Sequence, residues 1–125
     1  MAKGTVLVTG GAGFIGSHVA EIFARDGYPV RVLDNLSRAK LLKKDDRNAR
    51  YNWDHLGRLS GVTLLEGDVR DAAALTEAAS GVEVIVHAAA QTAVTTSVTD
   101  PRQDFENNVI GAFNVLEAAR AQARK

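Results

Sequence analysis

The sequence contains no cysteine, which rules out disulfide scaffolds and thiolate metal centres and is compatible with a reducing compartment; a cytoplasmic location is the expectation. Long apolar runs are missing too. No stretch approaches the roughly 18 consecutive apolar residues of a membrane span, and the first apolar run, Thr5 to Thr9, is too short for the core of a signal peptide. Nor is there an excess of one charge: 15 Lys and Arg balance 15 Asp and Glu, interspersed along the chain. Without a one-signed field, neither nucleic acid nor an anionic membrane is expected as a partner. Internal repeats, low-complexity tracts and linkers are also absent. At 125 residues and 46% hydrophobic content, the chain has the size and composition of one compact globular domain.

What is present alternates between two hydrophobic periods. Val6, Leu7 and Val8 form a short apolar run ending in Thr9 and a glycine cluster, the pattern of a strand buried on both faces. Ile15, Val19, Ile22 and Phe23 then recur at helical spacing up to Asp26-Gly27, predicting an amphipathic helix with those four on its core face. Further strands are expected at Val30 to Leu33, Val62 to Leu65 and Val84 to His87. Between the second and third strands, the charged stretch from Arg38 leads into Tyr51, Trp53, Leu56 and Leu59, where a helix is expected. Asp71 is placed to cap a helix that Ser80-Gly81 ends. Asp100-Pro101, with Gln103 at the capping-box position, begins a long helix to about Gln122 whose apolar face reads Phe105, Val109, Ala112, Phe113, Leu116 and Ala119. Thr95 and Thr96 fall in the connecting loop.

Strands alternating with helices predict an α/β fold with right-handed crossovers and a parallel sheet. The expected order is 3-2-1-4, the first half of a doubly wound Rossmann-type sheet, with ligands bound beyond the carboxyl ends of the strands. Those ends carry Thr9-Gly10, Asp34-Asn35, Gly67-Asp68 and His87-Ala88.

The most informative motif is Thr9-Gly10-Gly11-Ala12-Gly13-Phe14-Ile15-Gly16. A pyrophosphate requires backbone N–H groups aimed at it, a turn free of Cβ atoms and the positive end of a helix dipole. Gly11, Gly13 and Gly16 fit G-x-G-x-x-G between a strand and a helix, the context that gives the pattern its meaning. The competing structural reading is a tight turn in which Gly16 lets helix and strand pack. A P-loop is the chemical rival, because Gly11 and Gly16 also have G-x-x-x-x-G spacing, but Ser17-His18 follows where a lysine is required. Asp34 ends the second strand 18 positions after Gly16, where the fingerprint places an acid for the ribose hydroxyls of NAD. A 2′-phosphate would meet its charge, although Arg38 lies near. Asp68 would lie beside the adenine or serve only the turn. His87, a lone histidine without a visible carboxylate partner, reads as a satisfied strand-end residue.

The stretches TGGAGFIG at 9–16, LDNLSR at 33–38, GDVRD at 67–71, VIVHAAA at 84–90 and DFENNVIGAFNVLEAAR at 104–120 resemble the extended short-chain dehydrogenase/reductases, the family of nucleotide-sugar epimerases and dehydratases. Within it, the segment 91–106 is most similar to epimerases acting at carbon 2 of a CDP-sugar. The resemblance implies NAD as cofactor. Gly10, Gly13, Phe14, Ile15 and Gly16 would line the pyrophosphate, and Asp34 and Asn35, with Ser37 and Arg38 following, would hold the adenosine ribose. Asp68 and Val69 would flank adenine, Ala88, Ala89 and Ala90 would lie along the nicotinamide half, and Thr92 takes the place of a ribose-contacting lysine of some relatives. Asn108 would support the active site, and Thr95 and Thr96 would face a nucleotide-sugar substrate.

The family's chemistry, as the resemblance implies, uses a tyrosine base and a lysine four residues later that lowers its pKa and holds the nicotinamide ribose. Four residues after Tyr28 is Val32, and four after Tyr51 is His55, so no catalytic residue is assigned. Three readings remain: the NAD-binding part of a nucleotide-sugar epimerase or dehydratase, a non-catalytic dinucleotide-binding module or redox sensor, or an engineered half of the fold. A homo-oligomer through strand 84–87 or helix 101–122 is also expected, since that strand becomes an apolar edge and the helix carries an unspent apolar stripe.

Overall fold

The computed structural model describes residues 2–37 and 50–123; Arg38 lies outside them. Strands β1 (Thr5–Thr9), β2 (Val30–Asp34), β3 (Val62–Glu66) and β4 (Val82–His87) form one sheet ordered β3-β2-β1-β4. All three pairings are parallel, with Val8 opposite Val32 on one side and Val86 on the other. The expected topology is therefore present, and β4 begins two residues earlier than its apolar run, through a register shift at Thr5/Val6.

Helix α1 (Phe14–Arg25) follows β1, and α2 (Tyr51–Gly57), α3 (Ala72–Ala78) and α4 (Val94–Thr99) follow in turn. Last come α5 (Pro101–Phe105), a π-helical turn (Glu106–Ile110) and α6 (Gly111–Ala123). The Asp71 and Asp100 caps form: Asp71 accepts from the Ala73 and Ala74 N–H groups, and Asp100 accepts from the Gln103 N–H with Pro101 in the first turn; Gln103 does not complete a capping box, because the Asp100 N–H donates to the Thr96 oxygen. Side chains along the strands alternate between two core layers. Val6, Val8, Val30 and Val32 pack with Ala20, Trp53 and Leu56 on the α1/α2 face; Leu7 and Leu33 pack with Leu75, Val115 and Ala118 on the other.

Three expectations are corrected. In α1, Val19 and Phe23 do face the core, but Ile15 and Ile22 are exposed and the buried positions are Gly16, Ser17 and Ala20. In the last helix the displacement is larger: Gly111, Val115 and Ala118 are buried, whereas Phe105, Val109, Phe113 (58% exposed) and Leu116 (69% exposed) point outward. Its physical causes are two. The π-helical turn inserts a residue into the helical phase, and small residues let the helix sit close to the sheet, as at Gly111, where a Cβ would come within 2.7 Å of Val69 Cγ2. The third correction is that Thr95 and Thr96 belong to a short helix, α4, and not to a loop. No helix among the described residues is long and apolar enough to cross a membrane.

Candidate functional site

A cleft of about 470 Å³ opens beyond the carboxyl ends of all four strands. One wall is the turn between β1 and α1. Gly10, at φ +72°, makes that turn, and a Cβ there would sit 2.6 Å from the Ala89 nitrogen. Gly16 lies against the same turn, with a Cβ position 2.2 Å from the Gly10 oxygen, and Gly11 is pressed on Val32. The sequence fingerprint begins at Gly11, but the residue with the backbone role is Gly10. Gly13 lines the cleft and is the N-cap of α1; it supplies no capping side chain, and the first turn contains no acid. The N–H groups of that turn have no intrahelical partner, and no acidic side chain of the turn competes for them.

The second wall is the end of β2. Asp34 accepts from the Ala12 N–H at Oδ2 (3.0 Å) and from the Leu36 N–H at Oδ1 (2.8 Å). The carboxylate therefore ties the glycine turn to the β2 exit, and each oxygen keeps a second lone pair for a hydroxyl donor. Leu36 is buried with φ +57°, an uncommon backbone for a side chain of this size, which the Asp34 bond and a second turn bond, from the Ser37 N–H to Asn35 Oδ1, hold in place. Asn35 Nδ2 donates to Asp68 Oδ2 (3.2 Å), and Arg70 grips the same carboxylate. The Arg70 guanidinium lowers the Asp68 pKa to about 2, against an opposing effect of burial.

The third wall follows β4. Ala88 and Ala89 both donate their N–H groups to buried Thr9 Oγ1 (3.1 and 3.2 Å). The Ala88 N–H is shared with the Thr9 main-chain oxygen (3.1 Å), and the Thr9 hydroxyl is hydrogen-bonded to His87 Nδ1, 2.6 Å away. Burial lowers the His87 pKa, which favours the neutral ring. This is the satisfied strand-end histidine expected from its isolation. Ala88 to Ala93, Thr96, Gln103 and Asn107 complete the lining.

Of the residues singled out from sequence, Gly10, Gly13, Asp34, Asn35, Ser37, Val69, Ala88, Ala89, Ala90, Thr92 and Thr96 line the cleft. Phe14 and Ile15 have exposed side chains outside it, so only their backbone at the helix start is placed for a ligand. Gly16 is buried behind the turn, Asp68 stands behind Asn35, and Thr95 is outside the lining. Asn108 is behind the wall as well: it accepts from the Gln91 N–H (2.8 Å) and donates to the Gln91 oxygen (2.9 Å). Sequence reasoning missed Ala12, Leu33, Leu36, Gly67, Gln91, Ala93, Gln103 and Asn107. Position in the motifs signals Ala12 and Gly67; Gln103 and Asn107 enter through the fold alone.

A parallel 3-2-1-4 sheet with a glycine turn, an uncapped helix start and an acid at the next strand end defines a Rossmann-type dinucleotide-binding unit. The chain belongs to the NAD dependent epimerase/dehydratase family, whose model matches residues 6–125. It is 37% identical over 124 residues to a UDP-glucose 4-epimerase of Klebsiella pneumoniae, covering 96% of this chain and 83% of that one. It is also 37% identical over 117 residues to the CDP-paratose 2-epimerase of Salmonella typhi, covering 92% of this chain and 32% of the relative. Among solved structures, the Thermus thermophilus UDP-glucose 4-epimerase in complex with NAD superposes with a TM-score of 0.71 at 39% identity, covering 94% of this chain and 34% of that one. Apart from the Klebsiella protein, the chain spans about a third of the length of these relatives.

Proposed function

We propose that this chain is the NAD-binding part of a nucleotide-sugar epimerase or dehydratase. The observation that carries the reading is the pairing of an uncapped α1 start at Gly13 with the Asp34 carboxylate in one cleft. The pyrophosphate sits at the former, where Gly10 and Gly13 leave no Cβ in its way. Asp34, with Asn35 and Ser37, takes the adenosine ribose, Val69 borders adenine with Asp68 behind, and Ala88 to Ala90 and Thr92 border the nicotinamide half. Thr96 faces the sugar from α4. NAD, when bound, supplies the hydride acceptor; the chain's own residues bind and orient it.

In the whole protein the reaction would be oxidation of a sugar hydroxyl and return of hydride to the carbon. The base is not among the described tyrosines: Tyr28 packs edge-on against Phe23, and Tyr51 is exposed beside His55. A CDP-tyvelose 2-epimerase parent is favoured by the 91–106 segment, although the 37% identity to the CDP-paratose enzyme equals that to a UDP-glucose enzyme. For assembly, the β4 edge with exposed Val84 and the outward Phe105, Val109, Phe113 and Leu116 make a homo-oligomer the expected state; a single-chain mass by light scattering up to high micromolar concentration would refute it.

The binding reading is tested by calorimetric titration of NAD and NADP into the wild-type chain and Asp34→Ala. Wild type is expected to prefer NAD, because a 2′-phosphate meets the Asp34 charge, and the variant to lose that preference. Tighter NADP binding by wild type would overturn the assignment.

A further inference from the structure

We propose that Gln91 is a positioning residue that braces the β4 side of the cleft for the part of a dinucleotide beyond its pyrophosphate; the inference rests on the dinucleotide reading above. Gln91 is a lining residue, half-buried, and its side-chain amide is used at both ends. Its Oε1 accepts from the Ala93 N–H (2.6 Å), and its Nε2 donates to the Ala93 oxygen (3.0 Å). That pair of bonds closes the chain over Thr92 and holds both main-chain groups of the residue preceding α4. Helix α4 has no side-chain cap of its own, so this amide fixes where the helix starts. Nε2 also lies 3.4 Å from Ser97 Oγ and from Asp104 Oδ1, tying the start of α4 to α5.

The brace is itself braced. Asn108 in the π-helical turn holds the Gln91 main chain through the two bonds described above and donates to Asp104 Oδ1 (3.0 Å). Two amide clamps in series therefore connect the π-helical turn to Gln91 and Ala93, which line the cleft beside Thr92 and Thr96. Among the described residues, the hydrogen bonds of Asp34 run to the glycine turn and to Leu36, and those of this network stay among Gln91, Ala93, Ser97, Asp104 and Asn108. Gln91 is thus placed to affect what lies along residues 88–96 and to leave the adenosine end untouched. A glutamate at this position would lack the Nε2 donor and bring a second carboxylate toward Asp104, so the shape alone does not suffice.

The test compares NAD with ADP, which lacks the nicotinamide riboside, on the wild-type chain, Gln91→Ala and Gln91→Glu. Calorimetry gives the affinities, and amide hydrogen exchange of residues 92–97 is followed without ligand. Wild type is expected to bind NAD more tightly than ADP. Both variants are expected to weaken NAD about three- to tenfold, the loss of roughly one net hydrogen bond, with ADP affinity unchanged and exchange faster over 92–97. Pairing Gln91→Glu with Asp104→Asn, which restores a donor opposite the carboxylate, is expected to recover part of the NAD affinity. Equal weakening of NAD and ADP, unchanged NAD affinity, or no NAD advantage in wild type would overturn the inference while leaving the dinucleotide site in place. A wild-type chain that binds neither ligand would overturn the dinucleotide reading and the inference with it; exchange would then show only whether the brace exists.

Discussion

The two sides of the cleft are built by different physics. On the β1–α1–β2 side, backbone geometry does the positioning: Gly10 in a left-handed turn, Gly16 within van der Waals reach of it, and one carboxylate at Asp34 joining turn to strand. On the β4 side, side-chain amides do it, with Asn108 holding Gln91 and Gln91 holding Ala93. At Gly10 and Gly16 the glycine wall has no room for a side chain, because an added Cβ there meets main chain. An amide wall is assembled from bonds each worth about 1 kcal/mol net, and is softer.

The largest effect should therefore come from the glycine wall. Gly16→Ala puts a Cβ 2.2 Å from the Gly10 oxygen, main chain that cannot swing aside, and is expected to destabilise the chain by about 3 kcal/mol or more, read as a fall in thermal midpoint. Gly13→Ala meets only the Gly10 oxygen at 3.2 Å and is expected to change stability by less than about 1 kcal/mol while abolishing NAD binding, since it lines the cleft. Equal stability losses in the two would erase the distinction between packing glycine and ligand-facing glycine.

An intermediate effect is expected at the amide wall. Asn108→Ala strands the Gln91 N–H and carbonyl, at a cost of about 1–3 kcal/mol by chemical denaturation. Hydrogen exchange should quicken at 91–97 and not at the Gly10–Gly16 turn; a uniform increase would show that the walls are not independent.

The smallest effect is a pH dependence where the two walls meet, at Thr9 and His87. The folded chain favours neutral His87, its pKa lowered by burial, so an unfolded chain takes up the proton first as pH falls. The contribution of His87 to stability is full above the ordinary value of 6.5 and declines below it. His87→Gln, which keeps an acceptor for the Thr9 hydroxyl and does not titrate, is expected to flatten stability between pH 7 and 5; an unchanged slope would assign it to other groups.

The same contrast explains what was legible in the sequence. Strands β1 to β4, their order and the glycine–Asp34 wall follow from runs of β-branched residues, a motif and a spacing, all local signals. The amide wall is not local: Gln91 and Asn108 are 17 positions apart, and no periodicity marks either as a clamp. Helix α4 was hidden because Thr95 and Thr96 read as loop formers; in the fold the Thr99 hydroxyl donates to the Thr95 oxygen within the helix. The outward turn of Phe113 and Leu116 was hidden by the π-helical turn, since a helical wheel drawn through Glu106–Ile110 assumes a constant 3.6 period. Large apolar residues mark the core only when a layer lies over them; here small residues face the sheet.

The most direct test is to follow backbone amide resonances of the isotopically labelled chain as NAD is added. We predict that the largest shifts fall at Gly10 to Ile15 and Asp34 to Ser37, with a second group at Ala88 to Thr92. Shifts confined to the exposed Phe105–Leu116 stripe, or none at millimolar NAD, would contradict a dinucleotide site in this cleft.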